Sequence, residues 1–274
     1  MAFTAKDVQA LREKGLASQA KKADRIAAEG TVCAYAKNGV GVVVELNSET
    51  DFVANGDGFK ALAAEVAEVV AEQNPADVDA LLKCEKDGMT VEAKVQELFL
   101  AIRENIKIRR FARCEGKVVT YVHAGGKIGV LVNFDTTLDA DNADFVTMGK
   151  NVAMQIAAMN PGYLDEASVP AEVIAKEKEI LIAQMKEDPK MANKPEAVLG
   201  KIVDGKIGKF YKENCLVEQA FVMDGDINVG KYVANTAKEL GAEIKIASFV
   251  RFEKGEGIEK RVDDFAAEVA AMAK

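Results

Sequence analysis

With 274 residues, 49% of them hydrophobic and 29% charged, the chain is neither disordered nor fibrous and can bury a substantial core divided over two or three modules. Its net charge of −8 argues against phosphate-backbone binding as the main task. No apolar run approaches the roughly 18–20 residues of a bilayer span, and residues 1–7 lack the basic-then-apolar order of a signal peptide.

In chain order, Thr4 can cap a helix that carries Val8 and Leu11 and ends at Gly15. Residues 16–29 are rich in alanine and lysine and read as an exposed helix or linker. Gly41-Val42-Val43-Val44 is short, β-branched and bounded by glycine, which predicts a buried strand. The polar residues from Glu45 onward are expected to leave that strand for a loop. Asn55-Gly56-Asp57-Gly58 is turn chemistry, and a helix opens near Phe59. Asp51 and Phe52 are thereby expected on a loop between strand and helix. The Phe52 ring either folds back into the core or is presented to another molecule.

The chain repeats itself. Gly30-Thr31-Val32-Cys33-Ala34-Tyr35 corresponds to Gly116-Lys117-Val118-Val119-Thr120-Tyr121, and Gly41–Val44 to Gly129–Val132. Tyr35 and Tyr121, Phe59 and Phe145, and Asn74-Pro75 and Asn160-Pro161 are each 86 positions apart. A shared strand-turn-strand-loop-helix order at one offset implies two copies of an α+β unit, each a hairpin that needs a helix on its face. Between Leu46 and Phe59 lie 12 residues, against 10 between Phe134 and Phe145. The shorter loop holds no aromatic.

Between the copies, residues 77–115 read as helical, with Val95, Leu98, Phe99 and Ile102 at helical spacing. Ile106–Phe111 alternates as a strand or a helix-to-strand passage. Helices over 170–187 and 196–212, joined by a proline-containing link, predict an antiparallel hairpin projecting from the body. A short strand at 221–223, a helix over 229–240, a closing strand over 244–252 and a terminal helix over 263–273 follow.

Motifs for chemistry are weak. Gly56-Asp57-Gly58-Phe59-Lys60-Ala61 matches a dinucleotide pattern, but it lies ten residues beyond Leu46 and not directly after a strand. The GxxxxGK matches ending at Lys206 and Lys231 are followed by Ile207 and Tyr232, not by the Ser or Thr that would hold Mg²⁺. Cys33, Cys84, Cys114 and Cys215 form no CxxC pair, so reduced structural thiols in a cytoplasmic protein are expected and a zinc site is not. The single histidine, His123, lies at a hairpin turn with no nearby Ser, Cys or carboxylate in a recognisable nucleophile arrangement. No cofactor is expected, and the chain leans away from being an enzyme.

Glu45-Leu46-Asn47-Ser48-Glu49-Thr50-Asp51-Phe52-Val53-Ala54-Asn55 resembles the signature of the translation elongation factor Ts family throughout. Glu104–Arg110, Tyr121–His123 with Ile128–Leu131, Ala153–Ala157, Arg251–Glu253 with Gly255–Gly257, and Asp264–Val269 are similar to that family as well. The resemblance covers residues 15–274. It implies an α+β fold of two related subdomains, each an antiparallel sheet covered by helices, with a protruding helical hairpin and a C-terminal helix. The expected boundaries are 30–115 for the first subdomain, 116–169 with 213–252 for the second, 170–212 for the hairpin and 253–274 for the C-terminal module.

By the same resemblance the protein is a guanine-nucleotide exchange factor that binds elongation factor Tu, both GDP-bound and nucleotide-free, without contacting nucleic acid or membrane. Thr50, Asp51, Phe52 and Val53 would enter the partner's nucleotide site and displace its Mg²⁺. Gln155, where many members have histidine, would be a secondary contact. The family's N-terminal three-helix module is shortened to a residual helix and linker over 1–29, which predicts weaker binding. A scaffold protein of the same fold without exchange activity is the alternative.

Overall fold

The computed structural model describes Lys22, residues 24–187 and residues 196–259. The helices expected at 4–14 and 263–273 and the link between the two hairpin helices lie outside the described residues.

The first unit opens with β1 (Glu29–Lys37) and β2 (Val40–Ser48), an antiparallel hairpin turning at Asn38 and Gly39. Both turn residues have positive φ, 52° and 74°, the conformation that favours Asn-Gly in two-residue hairpins. A five-residue helix, α1 (Asp51–Asn55), leads into α2 (Asp57–Gln73), which lays Phe59, Leu62, Val66 and Val70 on the sheet. Next come α3 (Val78–Lys83), a small hairpin of β3 (Glu85–Lys86) and β4 (Met89–Thr90), and α4 (Val91–Ile102). The small hairpin interrupts the helical reading of 77–115, because Asp87 and Gly88 take φ of 54° and 77° and so reverse the chain. Strand β5 (Lys107–Glu115) then joins β2, giving the order β1-β2-β5.

The second unit repeats this plan with β6 (Lys117–His123), β7 (Ile128–Thr136) and α5 (Ala143–Met159). Its helical hairpin comprises α6 (Ala171–Glu187) and α7 (Glu196–Asn214), zipped by Leu181, Met185, Val203 and Ile207. The chain returns through β8 (Ala220–Phe221), β9 (Asp224–Asn228) and α8 (Val229–Glu239). Strand β10 (Ile244–Glu253) completes the order β6-β7-β10. The strand expected at 221–223 is the tip of the β8–β9 hairpin, with Val222 and Met223 in its turn. The fold is α+β.

Helices α2 and α5 are both 17 residues long. Each ends on an asparagine in the left-handed region, Asn74 at φ 48° and Asn160 at φ 45°. Asparagine adopts that conformation at less cost than other side-chain-bearing residues and stops a helix there.

The two sheets pack through equivalent residues. A Cβ on Gly41 would lie 2.5 Å from Leu131 Cδ1, and one on Gly129 would lie 2.3 Å from Val32 Cγ1 and 3.8 Å from Val43 Cγ1. Gly41 and Gly129 hold the same place in their copies, as do Val43 and Leu131. The repeat is thus related by an approximate two-fold through its glycines, each of which lets a β-branched or leucine side chain of the other copy close in.

Candidate functional site

Strand β2 stays in register with β1 past the apolar run expected to be its end, while its pairing with β5 shifts between Glu45 and Leu46. Leu46 pairs with Thr31 and Ser48 with Glu29, and residues 41–48 are all buried. Burying the polar residues among them is costly unless they have partners, and apart from Asn47 Oδ1 partners are present. The Glu45 carboxylate is fully buried and accepts from Arg109 at 3.0 Å, Arg110 Nε at 2.6 Å and the Gly255 N–H at 2.8 Å. Asn47 Nδ2 donates to the Glu29 carbonyl at 3.0 Å, and Ser48 Oγ donates to the Thr50 carbonyl at 2.9 Å.

At Thr50 the chain leaves the sheet and turns into α1, not into a loop. The Thr50 hydroxyl accepts from Val53 N–H at 3.4 Å, a side-chain cap that satisfies a donor helices otherwise leave open. At the other end, Gly56 N–H closes onto the Val53 carbonyl at 2.9 Å. This single turn is two-faced. Val53 and Ala54 are buried in the first core, whereas Asp51 and Phe52 are exposed. The Phe52 ring is 86% exposed, more than any other large hydrophobic side chain among the described residues. Of the four consecutive residues singled out in the sequence, Thr50 caps the turn, Val53 anchors it, and Asp51 and Phe52 point outward.

The turn is clasped from the side. Glu104, just beyond α4, accepts from the Thr50 N–H at 3.0 Å and from the Thr50 hydroxyl at 2.8 Å. In return, Glu49 accepts from the Asn105 N–H at 2.7 Å and pairs with Arg25 at 3.3 Å. The roles of Glu45 and Glu104 are not legible in the sequence, because their partners lie tens to hundreds of positions away.

Gln155 lies on α5, at the position of Val69 in the first copy, and is fully buried. Its Nε2 donates to Gln219 Oε1 at 3.2 Å and to the Ala220 carbonyl at 3.1 Å, and its Oε1 accepts from the Val222 N–H at 2.8 Å. It grips the strand that leads into the turn carrying Val222 and Met223, the latter 62% exposed.

The competing motifs resolve into ordinary structure. Gly58 lies inside α2, and Gly200 and Gly205 inside α7. His123 ends β6 with its Nδ1 at 2.9 Å from the Tyr121 hydroxyl. Cys215 is fully buried, and burial, with Glu166, Asp165 and Glu218 adding to it, pushes its thiol up to about 11. Burial likewise raises Cys33, so neither is an activated nucleophile. Among the described residues no group of three or more His, Cys, Asp or Glu is placed to hold a metal ion. Nor, among them, is any helix long and apolar enough to cross a membrane. A cleft of about 680 Å³ between the copies is lined by Lys37 and Lys150 but also by Asp139 and Asp141, and so offers no single charge to a ligand.

The family model for elongation factor TS matches residues 49–256, a span that begins one residue before Thr50 and ends one after Gly255. The chain is 47% identical over 272 residues to the elongation factor Ts of Syntrophotalea carbinolica, covering 97% of this chain and 88% of that protein. It is 46% identical to that of Clostridium perfringens, with the same coverage, and 45% identical to that of a Nitratiruptor species, covering 98% and 89%. Over both units and the hairpin inserted in the second, the chain belongs to the elongation factor Ts family.

Proposed function

We propose that the chain is a guanine-nucleotide exchange factor that binds elongation factor Tu and promotes the replacement of its GDP by GTP, with Asp51 and Phe52 as the acting residues. The observation that carries this reading is the 86% exposure of Phe52 on a turn whose neighbours Val53 and Ala54 are held in the core. An exposed ring on a pinned turn is in the form an interface anchor takes before binding. A scaffold reading, in which this stretch only closes the subdomain, would place the ring inside.

In this account the ring and the Asp51 carboxylate enter the partner's nucleotide site and displace its Mg²⁺. Loss of the ion removes the largest local charge holding the phosphates, and GDP leaves faster. Exchange is a coupling: if the factor prefers nucleotide-free partner, GDP must weaken the factor's binding by the same ratio. No bond of GDP breaks, so the activity is not enzymatic in the covalent sense. Gln155 serves a second contact from beneath, by fixing the exposed turn of Val222 and Met223. The first unit over 30–115 carries the wedge, and the second, 116–169 with 213–252, carries that turn.

The test is release of a fluorescent GDP from elongation factor Tu. The chain is expected to accelerate release at saturating concentration. If release stays at its intrinsic rate although a pull-down shows binding, the scaffold reading stands instead.

A further inference from the structure

We infer that Glu104 is a positioning residue for exchange, whose carboxylate sets the Thr50 cap and through it the pose of Phe52; this rests on the function proposed above. Helix α1 has five residues, well short of the length at which a helix holds itself. Its own cap bond, from Val53 N–H to the Thr50 hydroxyl, is long at 3.4 Å. Val53 and Ala54 anchor its inner side, but neither fixes where its first residue starts.

Glu104 does. It takes the Thr50 N–H and hydroxyl at 3.0 and 2.8 Å from 54 positions away. The hydroxyl proton is thereby committed to Glu104, which leaves the Thr50 oxygen lone pairs for the Val53 N–H.

The strap that bears Glu104 is itself fixed. Arg103 ends α4 at φ 67°, with its N–H on the Phe99 carbonyl at 2.7 Å. Its carbonyl receives Lys22 Nζ at 2.6 Å. Asn105 gives its N–H to Glu49 at 2.7 Å, and Ile106 is buried. Residues 49–50 and 104–105 thus exchange carboxylates for backbone N–H groups in one register. A slip of one residue in either segment would break both sides together. An exposed ring gains nothing inside its own fold from such a clasp; a ring that must enter a partner in one orientation does, because the ordering is done beforehand.

The test uses the full chain as wild type, Glu104→Ala, Glu104→Gln, Phe52→Ala and the double variant Glu104→Ala/Phe52→Ala. Each is melted thermally, titrated for accelerated GDP release, and Glu104→Ala is also followed by amide hydrogen exchange. Glu104→Ala removes both hydrogen bonds to Thr50 and is expected to lower the saturating release rate at least about fivefold, the factor that the net loss of one exposed hydrogen bond alone corresponds to. Its melting temperature should stay near wild type and its Val53 N–H should exchange faster.

Glu104→Gln keeps an oxygen for the Thr50 N–H and an amide for its hydroxyl, and should recover most of the rate. In the Phe52→Ala background the Glu104→Ala loss should vanish. If it persists in full there, Glu104 touches the partner itself and the positioning role is overturned. A loss that only tracks a fall in melting temperature overturns it too, as does a normal Glu104→Ala rate beside a slow Phe52→Ala. An unchanged Phe52→Ala rate contradicts the function proposed above, and the role in exchange with it.

Discussion

The Glu45 carboxylate receives the Gly255 backbone N–H at 2.8 Å across 210 positions of sequence. One oxygen pair thereby ties the strand that delivers α1 to the turn that follows β10 in the other copy. Arg109, Arg110 and Asn47 Nδ2 also donate to this carboxylate, and Arg110 stacks over Phe252 at 4.3 Å and pairs with Glu256 at 3.1 Å. Replacing Glu45 takes the shared carboxylate from Arg109 and Arg110, whose side chains are 28% and 31% exposed, and weakens several charge-assisted hydrogen bonds at once. Glu45→Gln is expected to cost about 3 kcal/mol of stability, read as a shift in urea midpoint at unchanged slope. A loss below about 1 kcal/mol would mean that the arginines find other partners.

The glycine contacts between the copies make a second prediction. Gly129→Ala drives its new methyl toward Val32 Cγ1, and Gly41→Ala toward Leu131 Cδ1. Each should destabilise by about 1–3 kcal/mol through overpacking. The Val32 branch is stiffer than the Leu131 terminus, so Gly129→Ala should be the worse of the two in thermal melts.

Gln155 has three hydrogen bonds to the segment 219–222. Gln155→Ala removes them and leaves the Val222 N–H without its acceptor, at a cost of about 2 kcal/mol. Amide exchange at Val222 should rise by more than at Val132, which lies in the centre of the same unit's sheet. Equal increases at both would mean a global loss and not a local grip.

Cys215 sets an alkaline limit. Its ordinary value is 9.0 and its folded value about 11, so above pH 9 the unfolded state loses this proton before the folded state does. Stability then falls as pH rises. Cys33 acts with the same sign. Between pH 9 and 11 the melting temperature of wild type should drop more steeply than that of Cys215→Ala, and below pH 8 the two slopes should be parallel.

The repeat was legible in the sequence because its markers are local and recur at one offset. Tyr35 and Tyr121 close matching strands, and Asn74 and Asn160 stop matching helices by the same left-handed conformation. The end of β2 was not legible. Glu45, Asn47 and Ser48 look like the start of a loop until Arg109, Arg110 and Gly255 are brought beside them, and no sequence window reaches that far. Helix α1 was not legible for a related reason: five residues are too few to display a period, and the turn is held by the Glu104 clasp and the buried Val53. Gln155 could be singled out by its place in a shared phrase, but not as a buried grip, because a polar residue replaces the Val69 of the first copy only where a segment absent from that copy lies over it. Phe52 was marked in the sequence by an aromatic that the sister loop lacks, and the fold leaves that ring in solvent.

On this mechanism Phe52 acts outside its own fold and Val53, beside it, inside. Stopped-flow release of fluorescent GDP from elongation factor Tu, run beside thermal melts of Phe52→Ala and Val53→Ala, separates the two. Phe52→Ala is expected to slow factor-stimulated release at least about thirtyfold, as for an interface anchor of about 2 kcal/mol, and to melt with wild type. Val53→Ala is expected to lose about 2 kcal/mol of stability. A folded Phe52→Ala variant that releases GDP at the wild-type rate would contradict the account.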